Sequence, residues 1–441
     1  MLYWSKWIPA IAWLRNYSRD NLVNDSLAAV VVTIMLIPQS LAYALLAGLP
    51  VEMGLYASIL PLVAYALFGS SRTLSVGPVA VASLMTASAI GSVSAVGTAD
   101  YATAATVLAL LGGLMMITLG LLKFGFVANF LSHPVVSGFI TASGIIIGLG
   151  QMGPLMGMSM QGNSLVSLLT ATHQNWDQAH FLTASVGFSC LTFLLLARFW
   201  LPQILASFGW GGRSIGLLTR SAPVLMMIIV IPLSMTQELA ALGVATVGSI
   251  PSGLPVFSSP LVNWPLVKEL AMPAFFIALI GFVESVSVGK TLGAKKRQRI
   301  NANQELVGLG AANTAAAISG GFPVTGGFSR SAVNFEAGAD TQMASILTAL
   351  GIGLATLYLT PVLYFLPKAA LAATIIAAVL SIIDWKILGQ AYRFSSADFI
   401  AVVLTIVITL LAGVELGVLS GIAVSLGLYL YQTSKPHFAI V

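Results

Sequence analysis

Two charged side chains interrupt long apolar stretches of this 441-residue chain and could carry chemistry. Arg330 stands in Gly-Gly-Phe-Ser-Arg-Ser, and Glu284 stands in Gly-Phe-Val-Glu-Ser-Val-Ser. An arginine in apolar surroundings offers a full positive charge and five N–H donors, which suits an anion, although it could also pair with Glu284 and only stabilise packing. Glu284 could take up a proton or bind sodium, or it could be a static partner of Arg330. Ser329, Ser331 and Thr325 place hydroxyl groups nearby, but alone they indicate no more than helix caps.

The other reactive residue types show no arrangement that would support catalysis or metal binding. Cys190 is the single cysteine, and the four histidines are scattered along the chain: His133, His173, His180 and His437. There is no histidine pair, carboxylate pair or Cys-His arrangement, so we expect no enzyme, no metal site and no cofactor. Val-Gly-Lys-Thr at 288–291 lacks the upstream glycine of a phosphate-binding loop. Gly308 and Gly310 are interpreted as helix-packing residues rather than a dinucleotide-binding turn.

The composition places these residues in a membrane. Hydrophobic residues make up 58% of the chain, charged residues make up 7%, and the mean hydropathy is +0.96. Soluble proteins carry about 25% charged residues, so the apolar side chains here cannot all be hidden in one core and must face lipid. The apolar runs are continuous and lack the two-residue period of barrel strands. At about 30 residues per crossing, we predict an all-α integral membrane protein with about 14 transmembrane segments.

The basic residues predict the orientation of these segments, because Lys and Arg accumulate on the cytoplasmic side of membrane proteins. Most basic residues, including the run at 295–299, fall on one side if about 14 spans alternate, while Lys268 and Lys368 fall on the other. Three tryptophans among basic residues within 1–22 predict an interfacial N-terminal segment in contact with membrane lipids. We therefore expect a multi-pass protein of the cell inner membrane with both termini cytoplasmic. The net charge of +5 needs no nucleic-acid partner.

Similar breaks at similar spacing predict an internal repeat. A Pro-Gln break at Pro38 and a Gly-Pro start at Pro78 correspond to the lone acid Glu284 and the Gly-rich start at Phe328. The offsets are 284 − 38 = 246 and 328 − 78 = 250. If the first repeat holds seven spans, the second is inserted in the opposite orientation, which is a transporter architecture.

Two segments of this repeat are too short or too polar to cross a bilayer. Residues 78–89 and 329–337 each follow a Gly or Pro breaker, so we interpret them as half-helices, segments 3 and 10, that begin near the membrane midplane. A helix N-terminus presents free N–H groups and about half a positive charge. Two such N-termini facing each other would form an anion site, so the sequence predicts an anionic substrate.

Four sequence blocks closely resemble the sulfate permease (SulP) family, the anion-transporter family of prestin and pendrin. They are Ile-Pro-Gln-Ser-Leu-Ala-Tyr-Ala-Leu-Leu-Ala-Gly-Leu-Pro (37–50), Gly-Leu-Tyr-Ala-Ser (54–58), Gly-Ser-Ser-Arg-Thr-Leu-Ser-Val-Gly-Pro (69–78) and Thr-Gly-Gly-Phe-Ser-Arg-Ser-Ala-Val-Asn (325–334). The resemblance runs from about Leu22 to the C-terminus. It implies a homodimer of fourteen-segment protomers with a seven-plus-seven inverted repeat, in which a core domain moves against a gate domain in an elevator-like step.

The resemblance also implies a site between segments 3 and 10. Carried over by motif, the substrate-binding residues are Gln39, Tyr43, Val79, Ala80, Phe328, Ser329 and Arg330. Family members that couple uptake to protons or sodium carry an acid on segment 8, where Glu284 stands.

The implied boundaries divide the chain into core and gate ranges. The core is 23–124 and 265–362 (segments 1–4 and 8–11), and the gate is 125–240 and 363–433 (segments 5–7 and 12–14), after an N-terminal segment at 1–22. Members of the family usually continue into a cytoplasmic STAS domain, and we interpret 434–441 as the start of a linker to such a domain, absent from this chain.

Together these observations predict a secondary active transporter of a small inorganic or carboxylate anion. Sulfate or a dicarboxylate is favoured, because Glu284 suggests proton-coupled symport of a scarce nutrient. The alternatives are a bicarbonate or chloride exchanger and a passive anion channel on the same scaffold. A nucleobase transporter is a further alternative, but its site would require acidic residues facing the base rather than Arg330.

Overall fold

The computed structural model of the protein describes residues 8–129, 133–160, 162–251, 253–255, 257, 260, 263–394 and 396–434. Residues 1–7 of the predicted interfacial segment, which include Trp4 and Trp7, lie outside these residues, as do Lys435 and His437. Trp13 is described and is buried on a short first helix. The helices of the first half are α1 Ala10–Arg15, α2 Arg19–Leu46, α3 Val51–Tyr56, α4 Leu60–Phe68, α5 Ala80–Gly91, α6 Ala99–Leu121, α7 His133–Gly150, α8 Met152–Met156, α9 Leu165–Gln174, α10 Phe181–Phe199, α11 Leu201–Ser207, α12 Gly212–Arg220 and α13 Ala222–Thr236.

The second half of the chain also consists mainly of helices. They are α14 Trp264–Lys295, α15 Ala302–Ile318, α16 Phe328–Ala337, α17 Met343–Tyr358, α18 Thr360–Leu363, α19 Lys368–Val379, α20 Ile387–Phe394, α21 Ser396–Ala412 and α22 Val414–Ser434. Short 3₁₀ turns span Phe124–Asn129 and Trp176–Gln178.

Side-chain caps fix the starts of several long helices. Ser18, Thr98, Asn263 and Asn301 accept hydrogen bonds from backbone N–H groups in the first turns of α2, α6, α14 and α15. Pro38 lies inside α2, which continues unbroken from Arg19 to Leu46. The Pro-Gln break expected there is therefore absent, because a membrane helix can accommodate a proline without ending.

Several described helices are long and apolar enough to cross a membrane. Six stretches qualify, two of which, Val51–Phe68 and Pro134–Met156, join neighbouring helices. The bent pair Ser214–Arg220 with Ala222–Thr236 makes a seventh if it is one span. Shorter apolar helices cover Ala80–Gly91, Met343–Tyr358, Lys368–Val379, Asp398–Ala412 and Val414–Ser425. The count of about 14 crossings, the inverted repeat and the core and gate boundaries stay predictions.

A two-stranded antiparallel sheet joins the two halves of the chain, each of which contributes one strand. β1 (Val76–Gly77) pairs with β2 (Thr325–Gly326), with Val76 opposite Gly326 and Gly77 opposite Thr325. The prediction of an all-α fold was wrong on this point, because strands of two residues show no alternating pattern. The half-helices also begin slightly differently from the prediction, at Ala80 rather than Pro78 and at Phe328 rather than Ser329.

Two large apolar clusters fill the interior. The first joins α5, α6, α14 and α15, and α6 meets α15 at glycines: a Cβ on Gly113 would lie 2.9 Å from the carbonyl oxygen of Gly310. Gly310 is therefore a helix-packing residue, as the sequence indicated. The second cluster joins α2, α3 and α17 from the predicted core to α10, α13 and α19 from the predicted gate.

Candidate functional site

The short sheet brings the starts of the two half-helices to one place. β1 leads into α5 after residues 78 and 79, and β2 leads into α16 after Gly327. The N-cap residues Val79 and Gly327 provide no side-chain cap, so their helices keep free N–H groups in the first turn. Because β1 and β2 are hydrogen-bonded to each other, these free groups converge.

A pocket of about 60 Å³ lies where the half-helices start. It is lined by all eight residues that the sequence assigned to binding or coupling: Gln39, Tyr43, Val79, Ala80, Glu284, Phe328, Ser329 and Arg330. The structure thus brings together residues that are nearly 300 positions apart in the chain. Their role in binding an anion stays a prediction.

Arg330 is the most unusual residue of this pocket, since only 2% of it is exposed. Its guanidinium lies against two glycines, and a Cβ would come within 2.8 Å of Nη1 at Gly77 and 3.0 Å of Nη2 at Gly327. Nη1 and Nη2 have no hydrogen-bond partner among the described residues. Burying an unpaired charged donor costs several kcal/mol, so these nitrogens favour an anionic acceptor.

Glu284 does not supply that acceptor. The ion pairs found among the described residues join Arg220 to Glu336 and Lys296 to Asp340, so the carboxylate of Glu284 is not within 4.0 Å of the guanidinium. Glu284 is half-buried on α14 and lines the pocket from one side. The direct ion pair that the sequence left open as an alternative is not formed in this structure.

Buried hydroxyl groups fix the backbone around the pocket. Ser285 Oγ accepts a hydrogen bond from the Gly326 N–H at 2.9 Å and donates one to the Gly281 carbonyl, which ties β2 to α14. Ser331 Oγ accepts a hydrogen bond from Ser75 N–H at 3.0 Å and donates to the Gly327 carbonyl at 2.7 Å. Ser331 therefore links the two half-helix starts rather than only capping a helix.

Two buried asparagines support the same region, and the sequence prediction missed both. Asn313 on α15 accepts a hydrogen bond from Val324 N–H at 2.9 Å and donates one to the Val324 carbonyl at 2.8 Å. Asn334 donates to the Thr73 carbonyl at 3.0 Å. An amide side chain inside an otherwise apolar helix is a signal that could have identified Asn313.

A larger cavity of about 480 Å³ adjoins the pocket. Glu284, Phe328, Ser381 and Ile382 line both spaces, so they form a neck between them. The larger cavity follows α14 past Lys290 toward the basic run at 295–299, which is the predicted cytoplasmic end. Ser381 and Ile382, which come just after α19, were not anticipated from the sequence.

Comparison with known proteins decides the family. A model of the sulfate permease family matches residues 22–407. The chain belongs to the sulfate permease family. A chloroplastic sulfate transporter of Arabidopsis thaliana is 36% identical to this permease-family chain over 435 residues, covering 98% of the chain but 62% of the relative. A probable sulfate transporter of Mycobacterium tuberculosis (strain ATCC 25618 / H37Rv) is 33% identical, covering 99% of the chain and 75% of the relative.

Solved structures share the fold of this chain. The murine Solute Carrier 26 family member A9 anion transporter superimposes with a TM-score of 0.89 at 23% identity, covering 98% of this chain and 72% of that chain. The transmembrane domain of a cyanobacterium bicarbonate transporter, BicA, gives a TM-score of 0.76 at 21% identity, covering 92% and 98%. The resemblance to the sulfate permease family is confirmed, and the relatives named above are transporters rather than enzymes.

Proposed function

We propose that this protein transports a small inorganic anion, with sulfate as the first candidate substrate, by alternating access. The observation that carries the proposal is the buried guanidinium of Arg330, whose terminal nitrogens lack acceptors and lie between the starts of α5 and α16. An anion in the pocket would accept hydrogen bonds from Arg330 and from the free N–H groups of both first turns. Sulfate is also supported by the relatives, which are named as a sulfate transporter and a probable sulfate transporter.

The size of the pocket favours a compact anion over a dicarboxylate. Its volume is about 60 Å³, on a measure by which a cavity that holds one water needs about 10–15 Å³. A tetrahedral oxyanion with five non-hydrogen atoms suits such a space better than a four-carbon dicarboxylate does. Its oxygens can also face several donors at once, as three converging donor groups require.

Glu284 is our candidate for coupling. It lines both the pocket and the larger cavity, so an anion that leaves the pocket toward the predicted cytoplasmic side passes this carboxylate. A charged Glu284 repels that anion, while a protonated one does not. We therefore propose proton-coupled symport, in which uptake of a proton accompanies binding of the anion.

The proposed movement is a shift of the core ranges against the gate ranges. The second apolar cluster forms the interface between them, and apolar surfaces can slide with few broken hydrogen bonds. We also propose that the protein is a homodimer of the inner membrane with cytoplasmic termini.

Uptake of radiolabelled sulfate into proteoliposomes tests this function. We expect saturable accumulation that rises when the outside is more acidic than the inside, and loss of uptake in Arg330→Gln. Succinate added in excess should compete weakly, because the pocket is small. Rapid equilibration that ignores the pH gradient would indicate a passive channel, and uptake of succinate but not of sulfate would contradict the proposal.

A further inference from the structure

The connection between α10 and α13 carries an exposed aromatic surface. We call residues 199–210 the aromatic segment. Its large side chains are turned outward, with Phe208 76% exposed and Trp200 63% exposed, and with Phe199 and Trp210 at least half exposed. Exposed aromatic groups in such number mark a contact surface.

The flanking helices restrict where this surface can lie. α10 ends at Phe199, α13 begins at Ala222, and each belongs to an apolar stretch that can cross a membrane. The connection therefore leaves and re-enters the bilayer on the same side. Trp and Phe side chains held at that level are typical of the boundary between headgroups and acyl chains.

The charges around the aromatic segment have one sign. Between Asp177 and Glu238 the sequence contains three arginines and no acidic residue: Arg198, Arg213 and Arg220. Arg220 is paired with Glu336 at 2.9 Å, while the guanidinium of Arg198 lies 5.7 Å from the centre of the Phe199 ring, at the start of the segment. A cation next to interfacial aromatic rings suits a phosphate headgroup.

We infer that the aromatic segment lies in the membrane interface and binds the headgroups of anionic phospholipids, with Arg198 as the cationic contact. Phe199, Trp200, Phe208 and Trp210 enter the outer part of the acyl layer, and Arg198 remains at the phosphate level. The segment anchors the predicted gate range to one leaflet. This inference does not depend on the transported anion.

The single cysteine makes a direct test possible. In a Cys190→Ala background, Phe208→Cys is labelled with a fluorophore and the protein is placed in phosphatidylcholine nanodiscs with or without phosphatidylglycerol. We expect strong quenching by a nitroxide at the headgroup and weak quenching by one in the middle of the acyl chain. Ile228→Cys, at an exposed position in the middle of α13, is the matched control and should show the opposite order.

The contact with anionic lipid headgroups is measured separately. Quenching of the Phe208 label should at least double when phosphatidylglycerol carries the headgroup nitroxide instead of phosphatidylcholine, and this gain should disappear in Arg198→Gln. Trp200→Cys repeats the measurement if Phe208→Cys does not fold. A label that neither nitroxide quenches, an equal response to both lipids, or a disulfide joining two copies through Phe208→Cys would overturn the inference; the last would assign the surface to a second copy of the chain.

Discussion

At the scale of single residues, we expect Arg330 to determine what the pocket can bind. It is a buried cation whose Nη1 and Nη2 have no acceptor among the described residues, so its charge should be more favourable with an anion present than without one. Replacing it with Gln should reduce affinity for sulfate by about ten- to hundredfold, corresponding to about 1.5–3 kcal/mol for a charge-assisted contact. The thermal shift caused by sulfate should disappear, while the melting temperature without sulfate should stay the same or rise. A lower melting temperature with a normal sulfate shift would make Arg330 a structural residue.

The two glycines beside the guanidinium provide a sharper test of its placement. A Cβ on Gly77 would lie 2.8 Å from Nη1, so Gly77→Ala should displace the guanidinium and weaken sulfate binding by about tenfold, or roughly 1.4 kcal/mol. Gly91→Ala is the matched control. Gly91 is the last residue of α5, and a Cβ there would meet nothing within 4 Å. The KM for sulfate uptake should rise in the first variant and stay unchanged in the second. Equal KM values in both variants would place the substrate elsewhere.

Glu284→Gln separates coupling from binding. The amide keeps nearly the shape of the carboxyl group but cannot exchange a proton, so uphill uptake driven by a pH gradient should be lost. Exchange of labelled for unlabelled sulfate at equal pH should continue, because a permanently neutral side chain does not repel the anion. Uphill uptake at the wild-type rate in this variant would remove Glu284 from the coupling mechanism.

At the scale of elements, the starts of the two half-helices could be predicted from sequence to within two residues, because Gly and Pro interrupt the apolar runs there. The β1–β2 pairing could not be predicted, since two residues per strand leave no pattern. Ser285 and Asn313 were also missed, because a polar residue in a long helix does not by itself indicate which backbone group it contacts. Ser381 and Ile382 reach the pocket only through the packing of α19, which no local pattern encodes.

One ion pair connects an element of the predicted gate to an element of the predicted core. Arg220 at the end of α12 pairs with Glu336 near the end of half-helix α16 at 2.9 Å, and both side chains are partly exposed. If the core shifts against the gate, this pair must separate. Because exposed pairs contribute only about 0–1 kcal/mol, Arg220→Glu should change the rate of uptake by no more than about fivefold and leave the KM for sulfate unchanged.

The charge-swapped double variant completes that prediction. Arg220→Glu with Glu336→Arg restores the attraction, so the maximal rate of sulfate uptake should return toward the wild-type value. Measurement of the rate at saturating sulfate in the two single variants and the double variant gives the coupling between the residues. A double variant that behaves as the simple sum of the single variants would show that the pair does not report on the movement.

At the scale of the whole molecule, a membrane fold could be predicted from composition, and the family could be predicted from the motifs around residues 37–50 and 325–334. The agreement with the sulfate permease family and with two solved transporter folds confirms the membrane fold. The neck between the pocket and the larger cavity could not be predicted from the sequence, because it is formed by residues of α14, of the start of α16 and of the segment after α19. The lining of the larger cavity extends along α14 toward the predicted cytoplasmic side, which fits the proposed alternating access.

Binding of radiolabelled sulfate to the purified protein tests whether an anion occupies the pocket between the half-helix starts. We expect one saturable sulfate per protomer in the wild type and in Gly91→Ala, with affinity at least tenfold weaker in Arg330→Gln and in Gly77→Ala. Wild-type affinity in a well-folded Arg330→Gln protein would contradict it.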